Sequence, residues 1–177
     1  FKEGKVSGTV EAFYGSTNTD DAATADSGFS TVGTSLAFET GSYMGLSAKV
    51  GFVAASVMSE ENDGDADTDM ADNSILSEAS LTFATEGLSI TAGRQAIDLE
   101  WLGDYNEAVV ASITAIPNTT LTLGYTDKKA VAGIDEISSE FGDINGTKGV
   151  YVADAKIALV DGLEANPYYY SAPDVAN

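Results

Sequence analysis

Four carboxylates, Asp98, Glu100, Asp104 and Glu107, follow the chain's one arginine, Arg94, within a few residues. A second acidic run comes earlier, where Asp63, Asp65, Asp67 and Asp69 alternate with Gly64, Ala66 and Thr68. Carboxylates grouped in this way can attract cations, hold a divalent ion or move protons. The rest of the composition narrows the choice. There is no histidine and no cysteine, so the commonest general base, the commonest metal ligand and thiolate chemistry are all missing. The sequence offers no nucleophile–base pair and no phosphate-cradling glycine loop. Asp and Glu together number 28, so pairs of carboxylates arise from composition alone and mark no glycosidase site. Attraction and selection of ions is the remaining chemistry, and no enzymatic activity is expected.

The earlier run resembles the start of a calcium loop only in part. An EF-hand loop needs glycine at its sixth position and glutamate at its twelfth, and here Thr68 and Ser74 stand there. Weak calcium binding at Asp63, Asp65, Asp67 and Asp69 is the most this run offers, and no other cofactor is expected.

Against 28 acids stand 8 Lys plus Arg, a formal charge of -20. Such a chain repels nucleic acid backbones, so a nucleic-acid partner is excluded. With 44% hydrophobic residues it is too apolar for a disordered segment. Its 177 residues suit a single domain over 1–177. No apolar run approaches the ~20 residues of a membrane-crossing helix, but a crossing strand needs only about 9–11, with alternate residues apolar.

The elements that would position the acids read as strands. Ala79–Gln95 holds two alternating runs joined at Thr85-Glu86-Gly87, a hairpin signal. Similar alternation marks Lys5–Tyr14, Phe29–Glu39, Leu46–Ser56, Ala108–Ile116, Thr119–Tyr125, Val150–Leu159 and Leu163–Tyr170, about nine strands in all. One face of each is apolar. The other is rich in Ser, Thr and Gly, as a crowded wet interior would be. Long connections (Gly15–Gly28, Val57–Ser77, Gln95–Glu107, Thr126–Gly149) alternate with short ones near Gly41, Gly87, Pro117 and Gly162. This sorts the loops by length to opposite ends of the strands. An all-β, antiparallel, up-and-down transmembrane barrel does this, with short periplasmic turns and long outer loops. Tyr14, Tyr43, Tyr125 and Tyr151 fall near strand ends, as an aromatic girdle would.

The stretches FKEGKVSGTVEAFYG, GLSITAGRQAIDLEWLGD and IPNTTLTLGYTDK resemble the N-terminal half of Opr-type outer-membrane porins of the OprD kind. Ala92-Gly93-Arg94-Gln95, which ends a strand, is the most specific of these. The resemblance implies a Gram-negative outer membrane, a barrel of about 18 strands of which this chain supplies part, and a monomer or homotrimer set in outer-membrane lipids. It also implies passive diffusion of small water-soluble solutes. In porins the third long loop narrows the lumen, and by order that loop is Gln95–Glu107. Asp98, Glu100, Asp104 and Glu107 would then stand at the constriction, with Trp101 and Leu102 pinning the loop to the wall. The other reading is a structural or adhesin-like surface barrel whose acidic loops bind divalent ions.

In OprD-like channels arginines line the pore and guide carboxylates, which makes Arg94 a candidate. Alternation from Leu88, Ile90 and Ala92 would put it on the apolar face, at a cost of roughly 2–4 kcal/mol at the membrane midplane. A bulge at Gly93 that turns it inward is expected instead. The charges on the polar face by parity are Glu11, Glu39, Lys49, Glu78, Asp154, Lys156 and Glu164. Acids outnumber bases, so a cation preference is expected.

Overall fold

Each alternating stretch becomes a strand, and all are joined in one sheet. The computed structural model describes residues 3–20, 24–146 and 148–174. Residues 21–23 of the expected Gly15–Gly28 loop and residue 147 of the Thr126–Gly149 loop lie outside these. The long strands are β1 (Lys5–Thr17), β2 (Ser27–Glu39), β3 (Leu46–Glu60), β4 (Ser74–Thr85), β5 (Leu88–Ala96), β6 (Tyr105–Ile113), β7 (Thr119–Ala130) and β9 (Val150–Val160). Short pieces are β8 (Gly142–Asp143), β10 (Leu163–Ala165) and β11 (Tyr168–Ser171). The order is β1-β2-β3-β4-β5-β6-β7-β9-β10, with every ladder antiparallel; β8 pairs with β7 and β11 with β9. Antiparallel neighbours in chain order put the four long connections at one end and the short turns at the other. The sheet is not closed, since β1 and β10 do not pair with each other. It is a partial barrel.

Two features differ from the sequence reading. The expected last strand is divided in two at Asn166-Pro167. Proline has no N–H to give to the ladder, and the Asn166 side-chain amide compensates by donating to Asp154 Oδ2 and to the Ala155 carbonyl, both at 3.0 Å. The strands also run further toward the long loops than the alternation does: β3 reaches Glu60 and β4 starts at Ser74. At ~3.4 Å per residue, 13–15 residues span about 40–50 Å, beyond the ~25 Å apolar band of such a barrel. Past that band no face has to be apolar, so alternation stops while the backbone ladder continues.

The two faces are sharply different. Val10 is 81% exposed, and Leu36, Val50, Phe52, Leu81, Phe83, Ile90, Leu123 and Leu159 are exposed with it. Ile113, Leu121 and Ile157 share the face but are half-covered by neighbours. Tyr14, Tyr43 and Tyr151 are exposed near the strand ends, and Tyr125 stacks on Tyr151 with ring centroids 4.9 Å apart. A water-soluble sandwich would bury these residues under a second sheet; here nothing covers them. The core sits on the opposite, hydroxyl-bearing face, under loops. One cluster joins Phe29, Val53, Ala55 and Ile75 to Ala66, Met70, Ala130, Ile137 and Phe141. The other joins Ala108 and Val152 to Ile97 and Leu102.

Candidate functional site

Besides the 61–73 connection, whose Ala66 and Met70 join the first cluster, two of the long connections fold onto the hydroxyl face. The first spans residues 97–104, shorter than the Gln95–Glu107 expected, because Gln95 belongs to β5 and Glu107 to β6. Pairing of Ile97 N–H with the Asp104 carbonyl (2.9 Å) and of Leu99 N–H with the Leu102 carbonyl (3.0 Å) closes it as a small flap. Leu102, 6% exposed, and Ile97 pack on Ala108 and Val152, with Leu99, Val110 and Tyr170 around them. Trp101 does not take the pinning role expected of it. It is 75% exposed, and its backbone N–H meets the Tyr170 hydroxyl at 3.4 Å.

The second connection reaches much further. From the end of β7, residues 131–141 cross the hydroxyl face to β2, where the Thr31 hydroxyl donates to the Ile134 carbonyl. Thr31 lies on the same face as Gly33, beside which the Ile134 side chain also lies. Ile137 N–H donates to the Asp69 carbonyl at 2.8 Å, and the Ile137 side chain is wholly buried. Ser138 Oγ accepts from Val131 N–H at 2.9 Å and holds the base of the loop.

Arg94 lies under this second loop. Its Nε donates to Glu107 Oε1 at 2.8 Å, Nη1 donates to the Leu76 carbonyl at 3.2 Å, and the guanidinium carbon stands 4.2 Å from the centroid of the Phe141 ring. Gly93 does adopt a left-handed φ of 115°, and a Cβ there would collide with the Ala79 carbonyl oxygen. The expected bulge is absent all the same: the register of β5 with both β4 and β6 passes Gly93 without a shift. Gln95 curls back over the kink, donating from Nε2 to the carbonyls of Thr91, Gly93 and Ala108.

Among the other acids, Asp98 and Glu100 are exposed at the flap, and Asp104, in a left-handed conformation, pairs with Lys129 at 2.9 Å. On the wall, Glu11 is exposed and accepts from the Thr9 hydroxyl at 2.9 Å. Lys49 Nζ sits 2.8 Å from Glu78 Oε1. A register shift in the β3–β4 ladder puts Ser77 and Glu78, adjacent in sequence, both buried on this face beside Tyr105. Asp154 is 1% exposed beneath Asn166. A cleft of about 270 Å³ between β1, β2, β3 and β4 is lined by Ser7, Thr9, Ser35, Lys49, Glu78 and Tyr105.

The acidic run Asp63–Asp69 is built as successive turns. Asp65 Oδ2 accepts from Gly28 N–H and Asn62 N–H, both at 2.9 Å, and from the Asn62 amide at 3.2 Å. These donors hold its pKa below the ordinary carboxylate value. Asp63 and Asp67 are exposed, while Asp69 is half-buried and contributes its carbonyl to Ile137. Among the described residues no three of these carboxylates converge on one point.

The residues that sequence reasoning passed over are Ile134, Ile137 and Phe141. They sit in an aperiodic, polar-looking loop, and only the isolated apolar residues in GIDEISSEF hint at an anchored segment.

No family model matches the chain, and no curated protein matches it. Solved structures do. OccD3 (OpdP) of Pseudomonas aeruginosa superposes with a TM-score of 0.68 at 15% identity, covering 98% of this chain and 42% of its own. OpdQ of the same organism gives 0.60 at 14% identity, covering 97% and 49%. Both are β-barrel porins of the OprD family. At that identity the likeness is one of fold, and the chain spans less than half the length of either structure.

Proposed function

We propose that this chain forms part of the wall of a passive diffusion channel in the outer membrane of a Gram-negative bacterium. The channel passes small water-soluble solutes and favours cations. The observation that supports this most is the inverted arrangement of the sheet: its apolar face is left uncovered, and its Ser- and Thr-rich face carries the folded-in loops. The exposed belt would meet lipid chains. The hydroxyl face would line water, where Ser7, Thr9 and Ser35 can replace part of a solute's hydration.

Selectivity follows from which charges are already paired. Lys49, Arg94 and Lys129 each face a carboxylate within 3 Å, so their fields are largely cancelled. Glu11, Asp98 and Glu100 carry no ion pair among the described residues. The uncancelled charge beside the flap is therefore negative. It acts over about 10 Å at 0.1 M salt, and the preference should shrink as salt rises. The flap at 97–104 is the proposed constriction, with the 131–141 loop beside it.

The test is the reversal potential of the full-length protein in a planar bilayer across a salt gradient. Cation preference is expected. Substituting Asp98→Asn, Glu100→Gln and Asp104→Asn together should reduce it and leave the sheet folded, since exposed loop positions contribute little stability. An anion-side potential, or one untouched by the triple variant, would refute the proposal. Anion preference lost on Arg94→Gln would point to a carboxylate channel.

A further inference from the structure

Resting on the channel reading, we infer that Arg94 is a positioning residue: it latches the 131–141 loop across the hydroxyl face through Phe141 and does not act on the solute directly. The geometry favours the first role. Nε is engaged by Glu107, Nη1 by the Leu76 carbonyl, and the guanidinium carbon stands 4.2 Å from the centroid of a ring that is 5% exposed, so the group is already held on three sides while a third of the side chain meets water. A guanidinium is planar and weakly hydrated, so it can stack and hydrogen-bond in its plane at once; a lysine ammonium cannot. Glu107 and the Leu76 carbonyl fix that plane from β6 and β4, so the ring has one preorganised seat.

The loop has further holds: Ile134 on Thr31, Ile137 on Asp69, the buried Ile137 side chain, Ser138 on Val131 at its base, and β8 on β7 just past Phe141. The hold at Phe141 differs from these in being tied to a charge pair. Ile134 and Ile137 anchor the far part of the loop on the β2 side, and Phe141 anchors its return toward β7. Releasing the return would let the segment swing while its far end stays attached, which would widen the passage. Gly93 makes the latch possible. Its left-handed φ sets the direction of Arg94, and no residue with a Cβ could replace it without meeting the Ala79 carbonyl.

Phe141→Leu and Arg94→Lys together separate the latch from simple burial. Leucine keeps an apolar side chain in the cluster but is smaller and has no π face. If burial alone held the loop, Phe141→Leu would loosen it by the area lost, Arg94→Lys would behave as wild type, and no coupling would appear between them. If the latch holds it, Phe141→Leu and Arg94→Lys should each speed amide exchange in 131–141 by roughly tenfold, between the exposed and the desolvated sizes of a cation–π contact, since Arg94 is one-third exposed. The double variant should add little more, and peptides from β4, β5 and β6 should be unchanged. In single-channel recordings of the full-length protein, both variants should raise conductance, with the cation preference kept by Arg94→Lys.

Exchange in 131–141 unchanged by both variants would overturn the inference whatever the conductance shows. So would exchange altered in only one of the two variants. A protein that shows the exchange changes and yet conducts nothing would sink the channel reading and leave the latch standing.

Discussion

The two infolded loops do opposite things with similar material. The 97–104 flap stays at home: it leaves β5, packs on the wall beside β6, β9 and β11, and returns to its neighbour β6. It carries exposed acids at its surface and a small apolar foot beneath. The 131–141 loop leaves β7 and docks on β2, and its contacts are mostly anchors: Ile134, Ile137 and Phe141. Charge and reach are thus separated. On the proposed channel reading, the flap would choose by charge and the crossing loop would limit size. The difference also shows where stability lies. The flap is held by Leu102 and Ile97 packed on one small patch; the crossing loop is held on β2, on Arg94 of β5 and on the 61–73 loop.

The largest break in this comparison should come from Ile137→Asp. The side chain is wholly buried among Phe29, Val53, Met70 and their neighbours. A carboxylate there has no partner, at a cost of roughly 3–5 kcal/mol. Detaching the loop relieves that cost, so the expected result is a loop open to proteases between residues 131 and 141 on a sheet that still folds. Cleavage in the 97–104 flap instead, or in neither, would mean that the two loops do not stand independently.

A middle-sized effect is expected from Leu102→Ala, which should weaken the flap by about 2–4 kcal/mol through lost burial and the cavity left behind. Trp101→Ala should change it by less than about 0.5 kcal/mol, because an exposed side chain has little packing to lose. The reading is the exchange rate of the Ile97 amide, which bonds to the Asp104 carbonyl. Equal effects of the two substitutions would contradict a flap held through Leu102.

The sheet itself was legible, because a strand with one apolar and one polar face must alternate and a hairpin must turn. Ile90, Leu81 and Val10 announce their face by position alone. The strand ends were not, because alternation lapses beyond the apolar belt while the backbone goes on pairing. Of the two residues expected to pin the flap, Leu102 packs on the wall and Trp101 stays exposed, a division that residue type and position alone do not give. The kink at Gly93 could be suspected from Ala-Gly-Arg-Gln, but its form could not, since the glycine bends the strand without adding a residue. Phe141 was invisible. Its partner Arg94 lies 47 positions earlier, and nothing local in an aperiodic loop reports a contact at that separation.

The smallest predicted effect concerns acid. The 61–73 connection supports the crossing loop through Asp69 and Met70, and it is itself braced on β2 by Asp65, whose carboxylate accepts from Gly28 N–H and Asn62 N–H. Those donors stabilise the charged form and hold the Asp65 pKa below its ordinary value of 3.8. A folded-state pKa that is depressed gives stability above the unfolded value, lost as pH falls through the folded one. The brace should therefore be intact at pH 3.8 and above, and should fail only below it. Solvent exposure of the carboxylate keeps the effect modest. The 97–104 flap has one carboxylate contact, the exposed Asp104–Lys129 pair, which contributes little, so acid should loosen the crossing loop first. Pepsin cleavage followed downward from pH 3.8 should show cuts in 131–141 rising before cuts in 97–104. Asp65→Asn, assayed at each pH as its own control for the protease, should cleave more readily than wild type above pH 3.8 and show a smaller pH step, the remainder coming from Glu60, which accepts from Ala66 N–H at 2.9 Å. Simultaneous loosening of both loops, or a step undiminished in Asp65→Asn, would show that the brace does not reach the crossing loop.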